Sequence, residues 1–323
     1  MELRQLGRTG LRVSPLGLGT MAWGRDTDEI DAAEQLRDFV DAGGNLVDTA
    51  ASYGGGASES MIGSLLAAGK VDRGDVLLCT KAGIRTTADG NTVDASRGAL
   101  LDSLDASLAR LGTDHVDLFL VHTPDPRTPF DETLSALRLA VTTGRARYVG
   151  LSNHPGWAAA RAAATLDARG DVGLSAVELE YSLLQRGIER DVVPAATEMG
   201  FGVLAWSPLG RGVLTGKYRT SLPADSRGAS SHLAGFVQPY LDGPSSGIVE
   251  AVVTAANGLG RAPLDVALAW LLERPGVSSA IIGARTPSQL RASLAASDLE
   301  LPDAVHHALD DVSALSFGYP ERW

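Results

Sequence analysis

The chain of 323 residues contains one cysteine, Cys79, so no disulfide can form within it. Cys79 stands in the middle of the apolar run VLLCTK and reads as a core residue rather than a redox thiol. No apolar stretch approaches the ~20 residues that a membrane-spanning helix requires. The opening MELRQLGRTGLRV lacks the apolar segment of a signal peptide. A soluble, cytoplasmic protein is the expectation. Positive charge is also scarce: 28 Lys and Arg face 39 Asp and Glu, for a net charge of −11. That balance argues against nucleic acid or an anionic membrane as a general partner. It leaves room for an anion held by a few local Arg or Lys. No Cys/His cluster has metal-ligand spacing, so no metal is expected. No linker, charge block or low-complexity segment interrupts the chain, and residues 1–323 read as one domain.

What is present is an alternation. ELRQL and LRVS flank the glycine-containing turn GRTG, a hairpin pattern over residues 1–15. Eight short apolar runs follow, at 16–20, 45–50, 75–81, 116–122, 146–152, 174–180, 202–208 and 279–284. Amphipathic stretches separate them. In one, Leu100, Leu101, Leu104, Leu108 and Leu111 form a stripe that ends at Gly112. In another, SESMIGSLLAA, Ser58 is the expected N-cap. Strand and helix repeated eight times predict a parallel sheet closed into a (β/α)8 TIM barrel. An open doubly wound sheet would place G-x-G-x-x-G after its first strand. Here GLGTMAWG has Met21 and Ala22 in the late positions. One connection is long: residues 210–243, after the seventh strand, where barrel active sites lie.

Barrel geometry brings the C-terminal ends of the strands to one rim. Asp48 ends the second strand, Tyr53 follows in its loop, Lys81 ends the third and His122 ends the fourth. This set suits reduction of a carbonyl. Tyr53 would donate the proton as general acid. Lys81 would favour the phenolate and so lower the phenol pKa. Asp48 would pair with Lys81, and His122 would orient and polarise the carbonyl oxygen. None of these groups supplies hydride, so a nicotinamide cofactor is required. Trp23, after the first strand, would wall the substrate pocket together with Tyr53 and His122. Phe236 and Tyr240 are further candidates for substrate contact.

The motifs RQLGRTGLRVSPLGLGTMAWG, DTAASYGGGASE, TKAG, LVHTPDP, VGLSNH, EYSLLQR, WSPLGRGVLTGKY and IIGARTPSQL span nearly the whole chain. With them the sequence resembles the aldo-keto reductase superfamily. The resemblance implies a (β/α)8 barrel whose N-terminal hairpin covers the bottom, and NAD(P)H-dependent reduction of aldehydes and ketones. It assigns the catalytic tetrad to Asp48, Tyr53, Lys81 and His122, with His rather than Glu at the fourth place. It puts Gly19, Thr20 and Met21, with Asp48, near the nicotinamide. Ser152 and Asn153 would bond its carboxamide, and Trp206 would stack on its face. Ser207, Leu209, Gly210 and Gly212 would cradle the pyrophosphate, with Lys217 nearby. Gly283, Ala284, Arg285 and Gln289 would meet the adenosine end, with Arg285 as the candidate for a 2′-phosphate. NADPH is the expected cofactor, with NADH possible.

Two positions depart from the family pattern. Glu178 stands where Gln is usual; as an ionised group it would accept from the carboxamide NH2 and favour the oxidised ring. Ser293, preceded by Ala292, stands where Asn is often found and would loosen adenine contacts. The expected partner is a small-molecule carbonyl, and the expected state a monomer or weak homo-oligomer. A second possibility is a redox-sensing regulatory subunit that binds the cofactor with little turnover, as potassium-channel β subunits of this superfamily do.

Overall fold

A computed structural model describes residues 1–319 apart from 88–89, 169, 171, 225, 231–232, 242, 244 and 317. The chain begins with a small antiparallel hairpin, β1 (Arg4–Gln5) and β2 (Arg12–Val13). The barrel strands begin with β3 (Leu16–Gly19), β4 (Leu46–Asp48) and β5 (Leu77–Ala82). A second hairpin, β6 (Ile84–Thr87) and β7 (Gly90–Val93), interrupts the series. It resumes with β8 (Val116–Val121), β9 (Ala146–Ser152), β10 (Leu174–Glu180), β11 (Gly202–Trp206) and β12 (Val277–Gly283). These eight strands pair in parallel, in chain order, and β12 closes onto β3 through Ala280–Leu16 and Gly283–Gly19. The result is the (β/α)8 barrel that the alternation predicts.

Strand periodicity sorts the side chains. Successive residues face opposite sides of a strand. Leu46, Cys79, Leu118, Leu120, Ala176, Leu204 and Ile281 fill the lumen, while Val47, Leu78, Phe119, Val149, Val177, Val203 and Ile282 pack outward against the helices. Gly17 belongs to the inward set, and a Cβ there would stand 2.7 Å from Ile281 Cδ1. Leu6, Leu11 and Val13 of the first hairpin join the lumen cluster from below. Gly7 holds that hairpin against the seventh strand: its φ is +56°, and a Cβ would meet Gly202 N at 2.6 Å.

The same parity delivers polar groups to the rim. Asp48 is the inward residue after Leu46, Lys81 after Cys79, Glu178 after Ala176 and Trp206 after Leu204. His122 follows Leu120 on the same side, held by its backbone N–H donating to Ala82 O at 2.8 Å.

Two features differ from the sequence expectations. The hairpin β6–β7 arises where β-branched threonines flank Gly90, whose φ of +114° suits only glycine. The segment 210–243 is not a structureless loop. It carries 3-10 turns at Gly210–Thr215, Arg227–Ala229 and Gln238–Tyr240 and a short helix at Ala234–Val237.

Candidate active site

A cavity of about 530 Å³ opens at the C-terminal end of the barrel. Asp48, Tyr53 and His122 line one end of it; Arg285, Gln289 and Ser293 line the other. Tyr53 reaches the mouth because the YGGG turn bends sharply behind it. Gly54, Gly55 and Gly56 all have positive φ, at 58°, 63° and 99°. At Gly56 a Cβ would strike Arg110 Cδ at 2.8 Å.

Lys81 is the centre of the buried end, with 1% of its surface exposed. Its Nζ donates to Asp48 Oδ1 at 2.5 Å and to Thr49 O at 3.1 Å, and lies 3.3 Å from Glu178 Oε2. It also lies 5.3 Å from the centre of the Tyr53 ring. Burial pulls the Lys81 pKa down, but Asp48 and then Glu178 outweigh it, and the net shift is strongly upward. Lys81 is an ammonium throughout the neutral range. Asp48, Cys79 and Glu178 bring one ligand-type atom each within 4.8 Å of one another. The ammonium lies within ion-pair distance of both carboxylates there and supplies the local positive charge.

Tyr53 and His122 face each other edge to face, with centroids 6.0 Å apart. Burial pushes the Tyr53 phenol upward; Lys81 pulls it down, while Asp48 and Glu178 push it up again. The net shift is upward, so the expectation of a phenol made acidic by Lys81 is corrected. Lys81 offsets part of a burial cost that the two carboxylates increase. His122 is held down to about 3, chiefly by burial and then by the Lys81 charge, and is a neutral imidazole at working pH. Its Nδ1 lies 3.4 Å from Ser52 Oγ.

Ser58 is not a helix cap. The helix Ala57–Ala67 starts after Gly56, and Ser58 is fully buried. Its hydroxyl donates to Thr20 O at 3.0 Å and lies 2.7 Å from Thr20 Oγ1 and 3.0 Å from Thr49 Oγ1. Thr20 Oγ1 in turn reaches Asp48 O at 2.9 Å. These hydroxyls tie the ends of β3 and β4 together behind Asp48.

The rest of the cavity lining is organised differently. Asn153, Ser207 and Arg211 have φ of 61°, 53° and 59°, the three non-glycine residues of the left-handed region among the described residues, and all line the cavity. Backbone strain of this kind persists only where the surroundings over-determine it. Asn153 shows how: Nδ2 donates to His122 O at 2.9 Å and Ser152 Oγ at 3.0 Å, while Oδ1 accepts from Trp206 Nε1 at 3.1 Å. Both of its N–H groups are engaged within the protein. Arg211 forks onto Glu180, with Nε–Oε1 at 2.8 Å and Nη2–Oε2 at 2.6 Å, and donates to Phe236 O. Phe236 stacks on Trp206 with centroids 6.3 Å apart and planes 18° from parallel.

Most of the sequence candidates line the cavity: Gly19, Met21, Ser152, Asn153, Glu178, Trp206, Ser207, Leu209, Gly212, Lys217, Gly283, Arg285, Gln289 and Ser293. Six candidates stand apart. Lys81 lies behind the wall. Thr20 is committed to Asp48 and Ser58. Gly210 packs on Leu184, where a Cβ would stand 2.6 Å from Cδ1. Ala284 is buried away from the opening. Trp23 is fully buried and donates Nε1 to Gln35 Oε1 at 3.2 Å, so it does not wall the pocket. Tyr240 lies under Arg211 rather than on the lining. Arg211 and Arg227 line the cavity and were missed. Arg227 sits in the long segment and reaches back to Gly283 O at 3.5 Å; burial, then the neighbouring Arg285, lowers its pKa. Only the basic spacing SRG in a segment rich in small residues hinted at it.

Glu178 needs a second correction. It is 2% exposed, and burial followed by the Asp48 charge outweighs Lys81, pushing its pKa up to about 8. Burial and the Asp48 charge thus work against the ionised Glu178 expected from sequence and favour its protonated form.

The donor set fits a dinucleotide. Lys217, Arg227 and Arg285 bring cations to the lining, Trp206 offers a flat aromatic face, and buried Glu178 Oε2 has no hydrogen-bond partner.

Comparison with known proteins agrees with this architecture. The model of the aldo/keto reductase family matches residues 15–314. A Bacillus subtilis protein named uncharacterized oxidoreductase YrpG is 38% identical over 320 residues, covering 97% of this chain and 96% of that protein. Aldo-keto reductase YhdN from the same organism is 32% identical, covering 90% and 87%. A rice protein named "Probable voltage-gated potassium channel subunit beta" is 32% identical over 326 residues, covering 100% and 98%. Among the described residues no helix is long and apolar enough to cross a membrane. With the family model matched from the first barrel strand to the last helix, the chain belongs to the aldo/keto reductase family, a membership that supports oxidoreductase function.

Proposed function

We propose that the protein reduces an aldehyde or ketone to an alcohol, using NADPH in preference to NADH. The observation that carries this reading is the buried Lys81 ammonium, paired with Asp48 at 2.5 Å and set beside Tyr53, with His122 across the same mouth. When bound, the nicotinamide cofactor supplies hydride to the carbonyl carbon. The chain's own residues do the rest. Tyr53 holds the proton that the carbonyl oxygen takes up. Lys81 keeps its positive charge next to that hydroxyl and stabilises the phenolate left behind. Asp48 holds Lys81 in place, and the hydroxyls of Thr20 and Ser58 hold the backbone of Asp48. His122, being neutral, donates one ring N–H to the carbonyl oxygen without competing for the proton. Trp206, Ser152 and Asn153 orient the nicotinamide, Ser207, Leu209 and Gly212 face the pyrophosphate, and Arg227 joins Arg285 in facing a 2′-phosphate.

The test is NADPH consumption with a nitrobenzaldehyde. Tyr53→Phe should lower kcat by about 10²–10⁴-fold while leaving NADPH affinity intact. Unchanged turnover in that variant would sink the reading. A second reading, a cofactor-binding regulatory subunit, draws support from relatives that carry channel-subunit names. It predicts tight NADPH binding with no steady turnover across a carbonyl panel.

A further inference from the structure

Two buried carboxylates share one cation. Asp48 and Glu178 are each 2% exposed, and between them stands Lys81, 1% exposed. Asp48 takes the short contact, at 2.5 Å, and Glu178 the long one, at 3.3 Å. Glu178 Oε2 lies at an ion-pair distance yet receives no directed hydrogen bond. The groups facing Glu178 do not make up the deficit. Tyr53 and Cys79 are neutral, and the strand neighbours, Ser152 on β9 and Leu204 on β11, carry no charge. With both carboxylates ionised the cluster would hold a net negative charge away from water, which is costly.

Glu178 also lines the cavity where the nicotinamide ring would lie. An oxidised ring is positive and a reduced ring neutral. A positive ring would be the second cation that the cluster lacks.

From this geometry we infer that Glu178 carries a proton in the resting site and releases it to solvent when the oxidised cofactor binds, so that pH sets the preference for the oxidised over the reduced cofactor. The inference rests on the cofactor reading above. As an acid, Glu178 offers both a donor and an acceptor, as Gln does. With the reduced cofactor bound, Glu178 therefore acts as a Gln. With the oxidised cofactor bound it acts as a counter-ion. The sign follows: raising the pH deprotonates Glu178 at lower cost beside a positive ring, so NADP+ gains affinity relative to NADPH.

Equilibrium titrations with NADP+ and with NADPH, followed by protein fluorescence, test this. The two ligands share their phosphates, so the ratio of their dissociation constants isolates the ring. From about pH 6 to about pH 9 the wild-type ratio should move toward NADP+ by up to about tenfold per pH unit, and Glu178→Gln should abolish the slope. The protein without ligand should also show an infrared carboxylic-acid band at neutral pH that fades at alkaline pH and is missing from Glu178→Gln. A flat wild-type ratio, a slope that survives in Glu178→Gln, or no such band overturns the inference and leaves the reductase reading standing. Failure to bind either nucleotide overturns both. Should Glu178→Gln not fold, the wild-type ratio and band decide the matter.

Discussion

The two halves of the barrel rim solve opposite problems. The half built by β4, β5, β8 and β10 buries charge. Asp48, Lys81 and Glu178 are almost wholly out of water and lie within a few ångströms of one another, with Lys81 paired to Asp48. The half built around β11, β12 and the 210–243 segment gathers cations around open space. Lys217, Arg227 and Arg285 line the cavity there. In the first half, electrostatics is spent within the protein, on holding one ammonium beside one phenol. In the second it is held ready for an anion. Substitutions in the first half should therefore cost stability as well as turnover, and those in the second should cost binding alone.

The largest effect is expected at Lys81. Lys81→Met leaves the buried Asp48 carboxylate with no cation beside it, a loss of about 3–5 kcal/mol by the usual cost of breaking a buried ion pair. Denaturant melts would measure it. Adding Glu178→Gln should return little of the loss at neutral pH, because the proton inferred on Glu178 already leaves it uncharged. A double variant much more stable than Lys81→Met would break the picture of a protonated Glu178.

A smaller effect is expected at the cationic half. Arg227→Ala or Arg285→Ala should weaken NADPH by about ten- to a hundredfold, the worth of a charged hydrogen bond, and leave NADH affinity and melting temperature nearly unchanged. Equal losses for both nucleotides would move these arginines away from the 2′-phosphate.

The remaining effect is a trend with pH. Glu178 ionises near 4.5 when unfolded and near 8 when folded, so its contribution to stability is full below 4.5 and is lost as the pH rises to about 8. His122 runs the other way. Held at about 3 against 6.5, it favours the folded state above 6.5 and loses that contribution as the pH falls. The melting-temperature gap between Glu178→Gln and the wild type should widen from pH 5 to pH 8. A constant gap would mean that Glu178 is solvated.

The two halves were also unequally legible in the sequence. Asp48, Lys81 and His122 stand at the ends of apolar runs, and a period of two then fixes their side of the strand. That is local information, and it carried over directly to three dimensions. Trp23 broke the rule because position after a strand says nothing about which way a loop residue turns; here an indole finds Gln35 inside the fold. Ser58 looked like a cap because hydroxyls before helices often are. Its partners, Thr20 and Thr49, are distant or unremarkable in the sequence and meet it only when the barrel closes. Arg227 was invisible for the same reason, since its neighbour Gly283 lies 56 residues further on. The protonation of Glu178 depends on three strands at once. Its identity is legible in the sequence as a departure from the family pattern, but its charge is not, because burial is a property of the fold.

The hairpin at the base of the barrel has a consequence for traffic. Leu6, Leu11 and Val13 fill the lower lumen, and Gly7 lets the turn press against Gly202 with no gap for a methyl group. Among the described residues the bottom is stoppered, and the cavity beside Lys81 opens at the other end. That opening is narrowed by Phe236 lying on Trp206 and by Arg211 gripping both Glu180 and Phe236. A molecule seated at the deep end is therefore covered by whatever binds above it. That layering is written into the architecture before any chemistry begins.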